Sequence, residues 1–154
     1  MKKILIGLFL MLGVVSFALP KYVSPEKIKG SGYEVTEESD FGFRIARQKN
    51  NGDATVVLYY LDYPEVSSAI QLSEMSVKTA PEEFKFLEST ENKKAYINKF
   101  VSPEGKGVYS FVGKKSKIKN CYIVIMHSTN KQLSNSELTK AVDTLLDEAE
   151  SFLN

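Results

Sequence analysis

Apolar positions along this chain follow three rhythms, and each predicts a different kind of segment. The first is unbroken. Residues 4–15 carry no charge, follow Met1-Lys2-Lys3, and lead to Ser16-Phe17-Ala18. A basic start, a short apolar run and small residues before a cut after Ala18 are the parts of a secretory signal peptide. The run is shorter than the roughly 20 residues a helix needs to cross a bilayer, so residues 1–18 read as a removed leader and not a retained anchor. No cysteine stands near the cut to take a lipid.

The second rhythm is alternation. It begins after residues 19–32, where Pro20, Pro25, Gly30, Ser31 and Gly32 predict a flexible lead-in with at most a short strand around Tyr22. Strand candidates then cover residues 33–37 and 41–46, with Phe41, Phe43 and Ile45 on one face. Asn51-Gly52 suits a type I′ hairpin turn, because both residues accept a positive φ. Residues 54–63 are apolar on both faces: Val56, Leu58 and Tyr60 on one, Val57, Tyr59 and Leu61 on the other. That pattern predicts a strand in the middle of a sheet covered on both sides. Strands follow at residues 94–101, 108–112 and 121–128, the last again apolar on both faces and expected to be central.

The third rhythm is helical. Behind Pro64, the positions Val66, Ala69, Ile70, Ser73 and Val77 share one face, widened by Leu72 and Met75. Pro81 closes that segment; residues 84–88 fit either a second short helix or a strand, and residues 81–86 are read as the helix. Near the end, Ser134 and Glu137 have the spacing of a capping box. Leu138, Ala141, Val142, Leu145, Ala149, Phe152 and Leu153 then form one stripe. The predicted order is β-β-β-α-β-β-β-α, a single α+β domain over residues 33–154. It is a mostly antiparallel sheet with helices packed on it, and the two double-faced strands point to an α/β/α sandwich.

This order resembles the PsbP-like domain family: hairpin strands, a helix after Tyr63-Pro64, a meander, and a closing helix ending in Ser151-Phe152. The resemblance spans residues 33–153. It implies an α/β/α sandwich and an exported accessory protein rather than an enzyme, as in the members that stand beside photosystem II. No motif carries a binding residue across to this chain.

Composition narrows the chemistry. Cleavage after Ala18 would leave 136 residues with 18 basic against 19 acidic side chains. That is one ordinary domain, with no global charge signature of nucleic-acid or anionic-membrane binding and no stable membrane insertion after cleavage. Cys121 is the only cysteine, so no intramolecular disulfide forms, and its apolar run predicts a buried thiol. His127 is the only histidine. On one strand the two would lie about 20 Å apart, too far for a thiol–imidazole dyad. One Cys and one His are too few for a structural zinc site, and the acidic stretch Glu37-Glu38-Ser39-Asp40 lacks calcium-loop spacing. No nucleophile elbow or phosphate loop is present, and no cofactor is implied.

Two surface candidates remain. Lys114, Lys115, Lys117 and Lys119 make a basic turn suited to an acidic partner, a phospholipid headgroup or an anionic glycan; a solvated hairpin tip has the same composition. Tyr59, Tyr60 and Tyr63 form a tyrosine cluster that serves equally as a binding surface or as strand packing. The expectation is an exported, periplasmic or secreted, non-enzymatic protein that binds or helps assemble an envelope or extracellular protein or ligand. The alternative is a small secreted hydrolase with a carboxylate pair.

Overall fold

The computed structural model describes residues 21–39, 42–49, 54–62 and 68–154. The two segments that are apolar on both faces sit side by side in the middle of a seven-stranded antiparallel sheet. The strands are β1 (Glu34–Ser39), β2 (Gly42–Lys49), β3 (Ala54–Leu61), β4 (Lys85–Glu91), β5 (Ala95–Val101), β6 (Gly107–Gly113) and β7 (Tyr122–Thr129). Their order across the sheet is β1-β2-β3-β7-β6-β5-β4, so β7 is the central strand and β3 its neighbour. The three helices among the described residues are α1 (Pro25–Lys29), α2 (Ala69–Lys78) and α3 (Asn135–Ser151).

Each face of the sheet buries its own core. On one, Val56, Leu58 and Tyr60 of β3 and Ile123 and Ile125 of β7 meet Leu138, Val142, Leu145, Leu146 and Ala149 of α3. On the other, Tyr59, Leu61, Val124 and Met126 meet Ala69 and Leu72 of α2. The α+β reading holds, with helices against both faces. The capping box at α3 forms as expected: the Ser134 amide donates to Glu137 Oε2 (2.8 Å) and the Glu137 amide to Ser134 Oγ (3.3 Å).

Two expectations fail. Residues 81–86 do not make a helix; the chain turns there and enters β4, an edge strand exposed along its whole length. A strand open on both faces needs no alternation, which is why periodicity did not reveal it. Nor are the residues from Lys21 onward a flexible lead-in. Val23 and Ile28 are buried in the α3-side core, Val23 bridges Leu153, and the Ser24 amide donates to the Phe152 carbonyl (2.8 Å). The prolines and glycines that suggested flexibility shape a short helix and its exit instead: Pro25 opens α1, and Gly32 takes a positive φ of 86°. The expected leader and the expected turn at Asn51-Gly52, with Phe41, Tyr63, Pro64 and Val66, lie outside the described residues.

Both outer strands carry a register shift, β1 between Val35 and Glu37 and β4 between Phe86 and Glu88. Bulges and charged side chains on an edge discourage further strand pairing, a common device against aggregation.

Candidate functional site

A groove of about 640 Å³ lies between α2 and the β4–β5 end of the sheet. Ser68 caps the helix by accepting from the Gln71 amide (3.3 Å). Helix α2 buries Ala69, Leu72, Ser73 and Ser76. Ile70, expected on the buried stripe, faces the groove instead and is 49% exposed, while Val77 packs against the core and also borders the groove. Phe86 of β4, 43% exposed, and Tyr96 of β5 stand across from them. Phe86 leans on Phe100 beneath it, ring centroids 5.5 Å apart.

The floor is polar and ordered. Asn98 of β5 is buried, and its Nδ2 donates to the Ser73 carbonyl (3.2 Å), Ser73 Oγ (3.0 Å) and Ser110 Oγ (2.9 Å). Ser89 Oγ donates to Asn98 Oδ1 (2.6 Å). A buried amide this fully bonded costs little to keep and fixes the spacing of α2, β4, β5 and β6. Glu74 of α2 and Glu91 of β4 line the groove from opposite walls. Glu91 is held by Lys114, whose ammonium also lies 4.7 Å from the Tyr96 ring centre.

The structure separates the residues that sequence reasoning grouped. Tyr59 and Tyr60 are fully buried, on opposite faces, and neither forms a surface. Tyr60 stacks on Phe43 (4.4 Å between centroids) and donates to the Ala149 carbonyl (2.6 Å). Lys114 is engaged with Glu91 and Tyr96, while Lys115, Lys117 and Lys119 are exposed. Lys115 borders a smaller pocket that also holds Lys93, Lys94, Asp147 and Glu150, so that surface carries both signs of charge.

Cys121 is buried just before β7, and burial pushes its thiol up to about 11 against a smaller downward pull from the Tyr22 hydroxyl. His127 lies toward the other end of β7, its ring 6.5 Å from that of Tyr109 and 6.3 Å from that of Phe111. The strand between them leaves no thiol–imidazole dyad, as the spacing predicted. Among the described residues no cluster of His, Cys, Asp and Glu could hold a metal ion, and no helix is long and apolar enough to cross a membrane.

The groove itself was missed from the sequence. Its one available signal was Phe86-Leu87, two apolar residues inside an otherwise polar segment. No family model matches this sequence, and no curated protein is similar to it. What stands on the geometry is the class: an α+β sandwich with a groove between a helix and the sheet's edge.

Proposed function

We propose that this chain is an exported, non-catalytic binding or assembly-accessory protein, and that it receives an envelope protein or ligand in the groove between α2 and β4. The observation that carries this reading is the pairing of half-exposed apolar walls, Ile70 and Phe86, with a rigid polar floor centred on Asn98. Apolar lining with a few placed polar groups is the usual composition of a ligand site, and exposed apolar side chains gathered at one place mark a contact surface. The leader-like residues 1–18 and the resemblance to PsbP-like accessory domains support export and an accessory role.

A second reading, a hydrolase, would draw on Glu74 and Glu91, the two carboxylates on facing walls. The ion pair between Glu91 and Lys114 weighs against it, since that carboxylate is already committed.

The test is photocrosslinking in the native envelope, with the photoreactive side chain at Phe86 and a control at Lys117. Specific adducts from position 86 and none from 117 are expected. Adducts from 117 alone would move the site to the basic turn. Hydrolysis of a carbohydrate or ester substrate, lost in Glu74→Gln, would replace the binding reading with the enzyme.

A further inference from the structure

Resting on the groove reading above, we infer that the occupant is an uncharged small molecule with an apolar body and one hydrogen-bond donor, the donor seated on Ser89 Oγ. The hydrogen-bond polarity of the floor leads to this. The Ser73 carbonyl can only accept, so the nitrogen of the Asn98 amide must face it. Asn98 Oδ1 therefore faces Ser89, and the Ser89 hydroxyl, with one hydrogen, must give that hydrogen to it. What Ser89 has left for the groove is lone pairs. A matching ligand offers an N–H or O–H.

Charge sets the second requirement. Of the ionisable residues in the lining, Glu91 is paired with Lys114, and Glu74 and Lys78 carry opposite charges one turn apart on α2, so the lining has no net excess of either sign. A ligand carrying net charge would lose hydration on entry and meet no net counter-charge in the lining. Size sets the third. About 640 Å³ suits a molecule of two or three rings, whose body would lie against Ile70, Val77 and Phe86.

Three fluorescent probes on one ring skeleton separate these requirements in the full chain: N-phenyl-1-naphthylamine, its N-methyl derivative, and its 8-sulfonate. The first is neutral with one N–H, the second lacks the donor, and the third adds a negative charge. Saturable binding of the first is expected, weakened about three- to tenfold by methylation and at least as much by the sulfonate. Ile70→Ser and Phe86→Ser, both at half-exposed positions, should each weaken the first probe about tenfold while leaving the thermal unfolding transition in place. Three probes binding alike, yet lost in the wall variants, would overturn the donor and charge assignment and leave the groove reading standing. Failure of every probe, with crosslinks still forming from position 86, would make the occupant a macromolecule and overturn this inference alone. Binding indifferent to both wall variants would overturn the inference and the groove reading together.

Discussion

Arg47 of β2 grips Glu148 of α3 through both ends of its guanidinium, Nη1 to Oε2 at 3.0 Å and Nη2 to Oε1 at 2.8 Å. Tyr33 completes the arrangement: its hydroxyl donates to the same carboxylate (2.7 Å), and its ring lies 4.2 Å beneath the guanidinium carbon. Nη1 also reaches the Ser31 carbonyl (3.2 Å). One ion pair thus fastens the α1–β1 connection, the sheet and the closing helix to one another. The pair is mostly buried, with side chains 17% and 26% exposed, and bidentate, so it falls outside the class of surface pairs that contribute nothing.

Glu148→Ala should therefore destabilise the protein by about 2 kcal/mol, because it strands a half-buried cation. Arg47→Met should cost a similar amount, and the double variant should fall short of the sum by about 1 kcal/mol. Urea midpoints of the four proteins give the coupling directly. Simple additivity would mean that the pair is geometric and not energetic.

Tyr60→Phe separates packing from binding. The ring would still stack on Phe43, while the Ala149 carbonyl would lose its buried donor. A loss of about 1–2 kcal/mol in stability with unchanged groove binding is expected. A change in probe affinity without a change in stability would return Tyr60 to the list of contact residues.

How far the sequence could be read follows from which residues bury a face. β3 and β7 are buried on both sides, so their double-sided apolar runs announced both the strands and their central place. The cap Ser134–Glu137 and the stripe behind it announced α3 in the same way. β4 buries no face, and its seven residues carry no period to find. The groove was hidden for a related reason. Ile70 looks like core on a helical wheel, and only the actual rotation of α2 against the sheet leaves it at the rim. Asn98 sits beside Lys99 as part of a polar interruption in a strand pattern, and its partners Ser73, Ser89 and Ser110 come from three other elements. No linear spacing connects them.

Ser134→Ala should remove about 1 kcal/mol by opening the capping box. Glu137, the other half of the box, is held below the ordinary carboxylate range, first by the Ser134 amide and then by Lys131. Its contribution is present above the ordinary carboxylate pKa and is lost as pH falls through the lowered value. The acid limb of the stability curve should accordingly be shallower in Ser134→Ala/Glu137→Ala than in the parent. Parallel limbs would show that the box does not respond to pH.

The basic turn calls for a narrower substitution than its sequence suggests, because Lys114 is committed to Glu91 and Tyr96. Lys115, Lys117 and Lys119 are the three to replace by Ser. The triple variant should keep its stability and its groove binding, and lose only the salt-sensitive part of its retention on envelope material. Retention equal to the parent's at low salt would leave the turn a solvated hairpin tip.

Alkaline stability tests the buried hydroxyls and the thiol together. Burial raises Tyr22, Tyr33 and Tyr60 above their ordinary value of 10.0 and Cys121 from 9.0 to about 11. The folded chain thus holds these protons to higher pH than the unfolded chain does. Where the unfolded state binds fewer protons, unfolding free energy falls as pH rises. The decline should begin near pH 9 with Cys121 and steepen above pH 10, where the unfolded tyrosines ionise. Each group contributes up to about 1.4 kcal/mol per pH unit within its window. Urea midpoints measured from pH 8 to pH 11 give the slope. Tyr60→Phe, which removes one of these protons, should flatten the portion above pH 10, and Cys121→Ala the portion from 9 to 11. A parent curve that stays level to pH 11 would mean that these side chains are solvated in the folded protein. The same burial predicts that the native thiol resists alkylation at pH 8, where about one molecule in a thousand would carry the thiolate, and reacts once urea unfolds the domain.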